Sequence, residues 1–105
     1  MAVAVTSSHE QVRGWAVVGE RGGVLWAQDF AFEGHTIDEI RADQPLRRGV
    51  TMTLDAIPAG DWVIGPYDTW QGAWLESLQV ECRGGPCPIP LPEFTRDIAL
   101  ALHRP

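Results

Sequence analysis

Asp61-Trp62-Val63-Ile64-Gly65-Pro66-Tyr67-Asp68-Thr69-Trp70-Gln71-Gly72-Ala73-Trp74 is the stretch that decides the fold. It reads as a β-strand, a tight turn and the start of a second strand. Strand alternation puts Trp62, Ile64 and Pro66 on one side and Val63, Gly65 and Tyr67 on the other. Asp68 is placed to accept backbone N–H bonds inside the turn, and Gly72 tolerates a positive φ there. The stretch holds three of the five tryptophans and the only tyrosine. Trp70 sits in the turn itself, where polar side chains are usual. It is either a core plug from a long turn or a contact surface for a partner.

The neighbouring segments repeat the strand grammar. Val12 to Val18 and Val24 to Phe30 read as a hairpin around Gly19-Glu20-Arg21-Gly22-Gly23. Val12, Ala16 and Val18 share one face of the first strand, Trp15 and Val17 the other. In the second, Val24, Trp26 and Phe30 lie opposite Leu25 and Ala27. Strands apolar on both faces are central, or have one face covered by another domain. Val50, Met52 and Leu54 alternate inward, and Ile57-Pro58-Ala59-Gly60 reads as the turn into the central stretch. Ala73 to Cys82 is the next strand, with a parity slip between Leu75 and Leu78 that indicates a β-bulge. Ile89 to Leu91 is flanked by Pro88, Pro90 and Pro92, which confines it to an edge. Arg96 to His103 closes the domain with Ile98, Leu100 and Leu102 on one face.

About seven short strands with turn signals every ~8–12 residues predict an all-β antiparallel sandwich, immunoglobulin-like or jelly-roll-like. One short helical turn is expected at Thr36–Ile40, from a capping box of Thr36 and Glu39 with Ile37 and Ile40 at helical spacing. It ends before Pro45. Residues 1–11 read as a flexible lead-in and 12–105 as one domain. Arg47 and Arg48 read as solvated charges.

The 105-residue chain is 45% apolar, enough for a core without a metal or cofactor. It has eight arginines, no lysine and a net charge of −6. Without a basic cluster it is a poor partner for nucleic acid or an anionic membrane. No apolar run approaches the ~18 residues of a membrane span. Met1 to Val5 is too short and uncharged for a secretory signal. Missing lysine and asparagine fit a GC-rich genome or a heat-adapted source.

Cys82 and Cys87 frame Arg83-Gly84-Gly85-Pro86, and two readings stand: a disulfide across a short turn, or two reduced thiols at a hairpin. Two thiols with no nearby histidine do not make a zinc site. Catalytic motifs are missing: no phosphate loop, no Gly-x-Ser-x-Gly, no His-Glu-x-x-His. His9, His35 and His103 read as surface or capping histidines. Glu76 and Glu81 are an acid/base pair only if they face one cleft; solvated strand faces are the simpler reading. Asp55, Asp61 and Asp68 flank turns, with no calcium-loop spacing.

The tryptophans carry the functional signal. Aromatic rings stack on the C–H faces of sugars while amides and carboxylates hold the hydroxyls; flat sites of this kind need coplanar rings. Trp15, Trp26 and Trp62 read first as core filler. Trp70 and Trp74 read equally as ligand platforms or as packing. Trp62 and Trp74 are candidates to face each other across the hairpin.

The runs Ile57-Pro58-Ala59-Gly60-Asp61-Trp62, Tyr67-Asp68-Thr69-Trp70-Gln71-Gly72 and Ile89-Pro90-Leu91-Pro92-Glu93-Phe94-Thr95-Arg96-Asp97-Ile98-Ala99-Leu100 resemble the C-terminal β-sandwich that follows the (β/α)8 catalytic barrel of certain glycoside hydrolases. Val24-Leu25-Trp26-Ala27-Gln28-Asp29 and Gly34-His35-Thr36 resemble pieces of it too. The resemblance covers about residues 12–103, with Asp68, Trp70 and Gly72 matching its turn and Asp97 its last strand. The chain departs from that pattern in lacking a barrel and in its cysteine pair. The resemblance implies a non-catalytic accessory module, packed against a barrel and contributing to sugar binding. The expected setting is extracellular. The expected ligand is a polysaccharide or oligosaccharide, stacked on Trp70 and Trp74 with Asp68, Gln71 and Glu76 as hydrogen-bonding groups. The alternative is a structural or protein-interaction module that binds no sugar.

Overall fold

The computed structural model describes residues 1–32, 46–69 and 71–104. The chain is an all-β sandwich of antiparallel sheets. In order, the strands are β1 (Ala2–Val3), β2 (Val5–Ser7), β3 (Val12–Val18), β4 (Gly22–Asp29), β5 (Leu46–Arg47), β6 (Thr51–Leu54), β7 (Gly60–Asp68), β8 (Ala73–Trp74), β9 (Leu78–Cys82), β10 (Cys87–Pro90), β11 (Phe94–Thr95) and β12 (Asp97–His103). The large sheet runs β1-β3-β4-β12-β7, and β7 pairs on its far side with both β8 and β9. The small sheet is β10-β6-β2, and β11 pairs with β5. Each strand expected from the sequence is present. The helical turn expected at Thr36–Ile40 lies outside the described residues, as do His35 and Trp70. A single 3₁₀ turn at Phe30–Phe32 follows β4.

The core lies between the sheets. Val12, Ala16 and Val18 of β3, Leu25 and Ala27 of β4, Trp62 and Ile64 of β7 and Ile98, Leu100 and Leu102 of β12 point inward. Met52, Leu54 and Ile89 meet them from the small sheet. This is the alternation read from the sequence, because a pleated strand sends successive side chains to opposite faces. Pro88 and Pro90 are exposed on β10, an edge strand of the small sheet. A missing N–H is tolerated there.

Three features differ from the sequence reading or sharpen it. Residues 1–11, expected to be a flexible lead-in, contribute β1 to the large sheet and β2 to the small one. The segment crosses between sheets at Ala4, whose carbonyl accepts the Asp55 N–H at 2.9 Å. Backbone donors in so short a segment, with Val3 and Val5 against the core, gain more from pairing than from solvent.

The parity slip is a one-residue insertion. Tyr67 pairs Trp74 and Ile64 pairs Leu78, so Gly65 and Pro66 face Leu75, Glu76 and Ser77. The extra residue breaks the strand into β8 and β9 and re-aims its side chains.

Arg47 is not a solvated charge. Its Nε donates to Asp29 Oδ2 at 2.6 Å and its Nη2 to Asp29 Oδ1 at 3.3 Å. Asp29 is the single buried charged residue among those described, and its Oδ1 also accepts the Ala31 N–H at 2.9 Å. A carboxylate that deep needs such partners. Arg48 does stay at the surface, 3.2 Å from Glu93.

Cys82 and Cys87 are joined in a disulfide with Cα atoms 5.4 Å apart. It ties the end of β9 in the large sheet to the start of β10 in the small one. Replacing both cysteines with serine, or reducing the bond, is expected to lower unfolding stability by about 2 kcal/mol, because the closed loop is short. Urea unfolding with and without reductant measures this. An unchanged midpoint would mean that sheet packing alone holds the two strands.

Candidate functional site

The outer face of the large sheet carries the candidate site. With Ala16, Leu25, Ile64 and Leu100 committed to the core, the alternate positions face away from it. Cross-strand register then lines them up in rows. One row reads Trp15, Trp26, Ala99, Tyr67, Trp74 across β3, β4, β12, β7 and β8. The next reads Val17, Val24, Ala101, Gly65 across the first four of these. Adjacent strands lie ~4.8 Å apart, so the five-residue row spans about 19 Å.

Aromatic rings form two ridges on this face. Trp15 and Trp26 have centroids 5.9 Å apart with planes at 45°, and Phe30 lies 5.9 Å beyond Trp15. The Arg13 guanidinium caps Phe30 at 4.9 Å. Across the sheet, Tyr67 and Trp74 meet edge to face at 5.0 Å and 62°. The Trp74 ring lies beside Gly65, where a β-carbon would meet it at an ordinary contact distance of 3.6 Å. Between the ridges is a shallow groove of about 230 Å³, lined by Gly23, Val24, Tyr67, Trp74, Ala99, Leu100 and Ala101. The only polar groups on its lining side chains are the Tyr67 hydroxyl and the Trp74 indole N–H. The β-bulge holds Trp74 here: without the inserted residue, β8 and β9 would continue in one register and Trp74 would share the inward face of Leu78.

The exposed apolar area is large for residues inside a sheet. Trp15, Val17, Val24 and Trp26 are each about half exposed, and Trp74 is 66% exposed. A polar row, Arg13, Gln28 and Asp97, borders the aromatic row on β3, β4 and β12. The Thr69 hydroxyl hydrogen-bonds to the Asp97 carboxylate, closing that border toward β7.

Of the residues expected to bind ligand, Asp68, Gln71 and Trp74 lie at the β7–β8 turn and Glu76 just after β8. Trp74 is on the aromatic face. Asp68 serves its turn: Oδ1 accepts the Gln71 N–H at 3.0 Å, and its carbonyl accepts the Gly72 N–H at 2.8 Å. Gly72 has the positive φ of 67° expected of it. Gln71 and Glu76 are exposed, Glu76 in the break between β8 and β9. Glu81 is exposed opposite Asp61, on another part of the edge.

Two tryptophan expectations are corrected. Trp15 and Trp26, read as core filler, are on the outer face. Trp62 and Trp74 do not face each other: Trp62 pairs Val80 and points inward, while Trp74 pairs Tyr67 and points outward. Trp62 is core, as expected. The outer-face residues Trp15, Val17, Val24, Trp26, Ala99 and Ala101 did have a sequence signal, the apolar residues on both faces of the hairpin strands.

No histidine, cysteine and carboxylate cluster suited to a metal occurs among the described residues. His9 is used structurally: Nδ1 accepts the Gln11 N–H at 3.1 Å, and Nε2 lies 3.4 Å from Arg47. His103 is exposed at the end of β12. No protein-family model, curated protein or solved structure matches this chain.

Proposed function

We propose that this is an accessory interaction module that docks on another protein domain through the outer face of its large sheet. The observation that carries this reading is the pair of adjacent apolar rows, Trp15–Trp26–Ala99–Tyr67–Trp74 and Val17–Val24–Ala101–Gly65. Exposed β-branched residues at the centre of a sheet, flanked by tryptophans and rimmed by Arg13, Gln28 and Asp97, have the anatomy of an apolar interface core with a polar border. Contiguous apolar patches of this kind mark interaction sites. The resemblance to glycoside hydrolase accessory sandwiches names the class of partner, a (β/α)8 catalytic barrel, and gives the module no catalytic step of its own.

A second reading, sugar binding on the same face, is supported by Trp74. Among the described residues it is the most exposed ring, it walls the groove, and hydroxyl partners stand in the neighbouring Arg13–Gln28–Asp97 row. The 45° and 62° tilts between neighbouring rings argue against a flat polysaccharide platform and favour docking.

One pair of measurements separates the readings. Val17→Lys with Val24→Glu should leave folding stability within about 1 kcal/mol, since both side chains are half exposed on the outer face and the opposite charges face each other across the strands. Docking predicts that the free module self-associates weakly at high concentration through its uncovered face, and that the double variant sediments as a monomer. Sugar binding predicts instead a saturable shift of tryptophan fluorescence with glucan, xylan, mannan or pectic oligosaccharides, lost in Trp74→Ala. A wild-type module that is monomeric at every concentration and binds no apolar dye would overturn the docking reading.

A further inference from the structure

A second cavity, of about 480 Å³, opens at one pole of the sandwich, away from the aromatic rows. It is lined by Glu20 and Arg21 from the β3–β4 turn, Pro58 from the turn before β7, and Arg104 just after β12. The fold brings these together by backbone contacts. The Gly19 N–H donates to the Gly22 carbonyl at 2.8 Å and tightens the hairpin turn. Gly23 lets the hairpin close, since a β-carbon there would fall 2.3 Å from the Val17 carbonyl oxygen. The Arg104 N–H then donates to the Arg21 carbonyl at 2.9 Å, setting the two arginines side by side.

Arg104 is held without an ion pair to a carboxylate of the described residues. Its guanidinium lies 5.7 Å from the centroid of Trp62 and against the backbone of Gly60. A cation–π contact of this kind holds a guanidinium in place while leaving its N–H donors for something else. Arg47 and Arg48 each have a carboxylate partner. Among the described residues neither Arg21 nor Arg104 does, although the chain is acidic overall at −6. Glu20 lines the same cavity and is paired with neither of them.

We propose that this polar cavity binds a ligand carrying both a carboxylate and hydroxyl groups, a hexuronate unit of an acidic oligosaccharide. The two guanidiniums take the carboxylate, since arginine donors match its geometry in paired hydrogen bonds. Glu20, an acceptor only, takes hydroxyl protons. A simple inorganic anion would satisfy the arginines but offers Glu20 no hydroxyl to offset like-charge repulsion. The volume falls in the range of small-ligand sites. The site is independent of the docking face and stands whether or not that face binds a protein.

Calorimetric titration of the whole chain at low salt tests the assignment, using galacturonate oligomers, the matching neutral galactose oligomers and inorganic sulfate as probes. Uronate binding should exceed neutral-sugar binding and weaken at least about tenfold in Arg21→Gln and in Arg104→Gln. Arg21 is exposed and carries no packing role, so its variant keeps the test valid if Arg104→Gln loosens Trp62. Glu20→Gln should weaken uronate and strengthen sulfate. Equal affinity for charged and neutral oligomers would overturn the proposal. So would sulfate binding as tightly as uronate, or no uronate binding at all.

Discussion

Trp62→Ala should destabilise the domain by about 3–5 kcal/mol, a large share of the stability of a domain this size. Trp62 is fully buried at the centre of the large sheet's inner face. Its removal opens a cavity between two sheets that are each fixed by their own hydrogen-bond ladders and collapse little. Its Nε1–H also donates to the Pro58 carbonyl at 2.8 Å, so the truncation leaves that carbonyl without its partner. Trp62→Phe keeps most of the volume and loses the bond, and should cost about 1 kcal/mol more than repacking alone. Trp26→Ala is the control. The ring is half exposed on the other face of the same sheet, and the loss should be about 1 kcal/mol or less. Equilibrium urea unfolding of the three variants reads all of this directly. Equal losses for Trp62→Ala and Trp26→Ala would contradict the assignment of inner and outer faces.

Arg47→Ala should be comparably damaging, by about 3–5 kcal/mol, because it strands a buried carboxylate. The Asp29 side chain is inaccessible, and Arg47 supplies two of its three described hydrogen bonds. Asp29→Asn should be milder. The amide oxygen can still accept the Ala31 N–H, and Arg47 remains partly solvated and bonded to Gln11 at 3.1 Å. In the double variant Asp29→Asn, Arg47→Met much of the Arg47→Ala loss should be recovered, since no charge is then left buried. A double-mutant cycle by chemical unfolding measures the coupling. Additive losses would show that the two side chains stabilise the fold separately. The contact joins the end of β4 to β5, residues far apart in sequence. No local pattern around Arg47 distinguishes it from Arg48, which sits on the surface with Glu93.

The same division runs through the candidate site. Period-two alternation in Val12–Val18, Gly60–Asp68 and Asp97–His103 determined the strands, their inner faces and hence the core, since burial on one side of a pleat leaves a recurring trace along the chain. The turn at Asp68–Gly72 was equally legible, its roles being set by residues a few positions apart. The parity slip announced the insertion between Trp74 and Leu78. The sequence also showed that the hairpin strands are apolar on both faces. It could not say which tryptophans lie on the free face, because that depends on which side of each strand the small sheet covers. Tertiary structure alone put Trp62 inside and Trp15, Trp26 and Trp74 outside, paired Arg47 with Asp29, and gathered Glu20, Arg21 and Arg104 at one pole. Local preference is written residue by residue, whereas juxtaposition is fixed by strand order and register across segments whose separation in sequence carries no record of the distance between them in space.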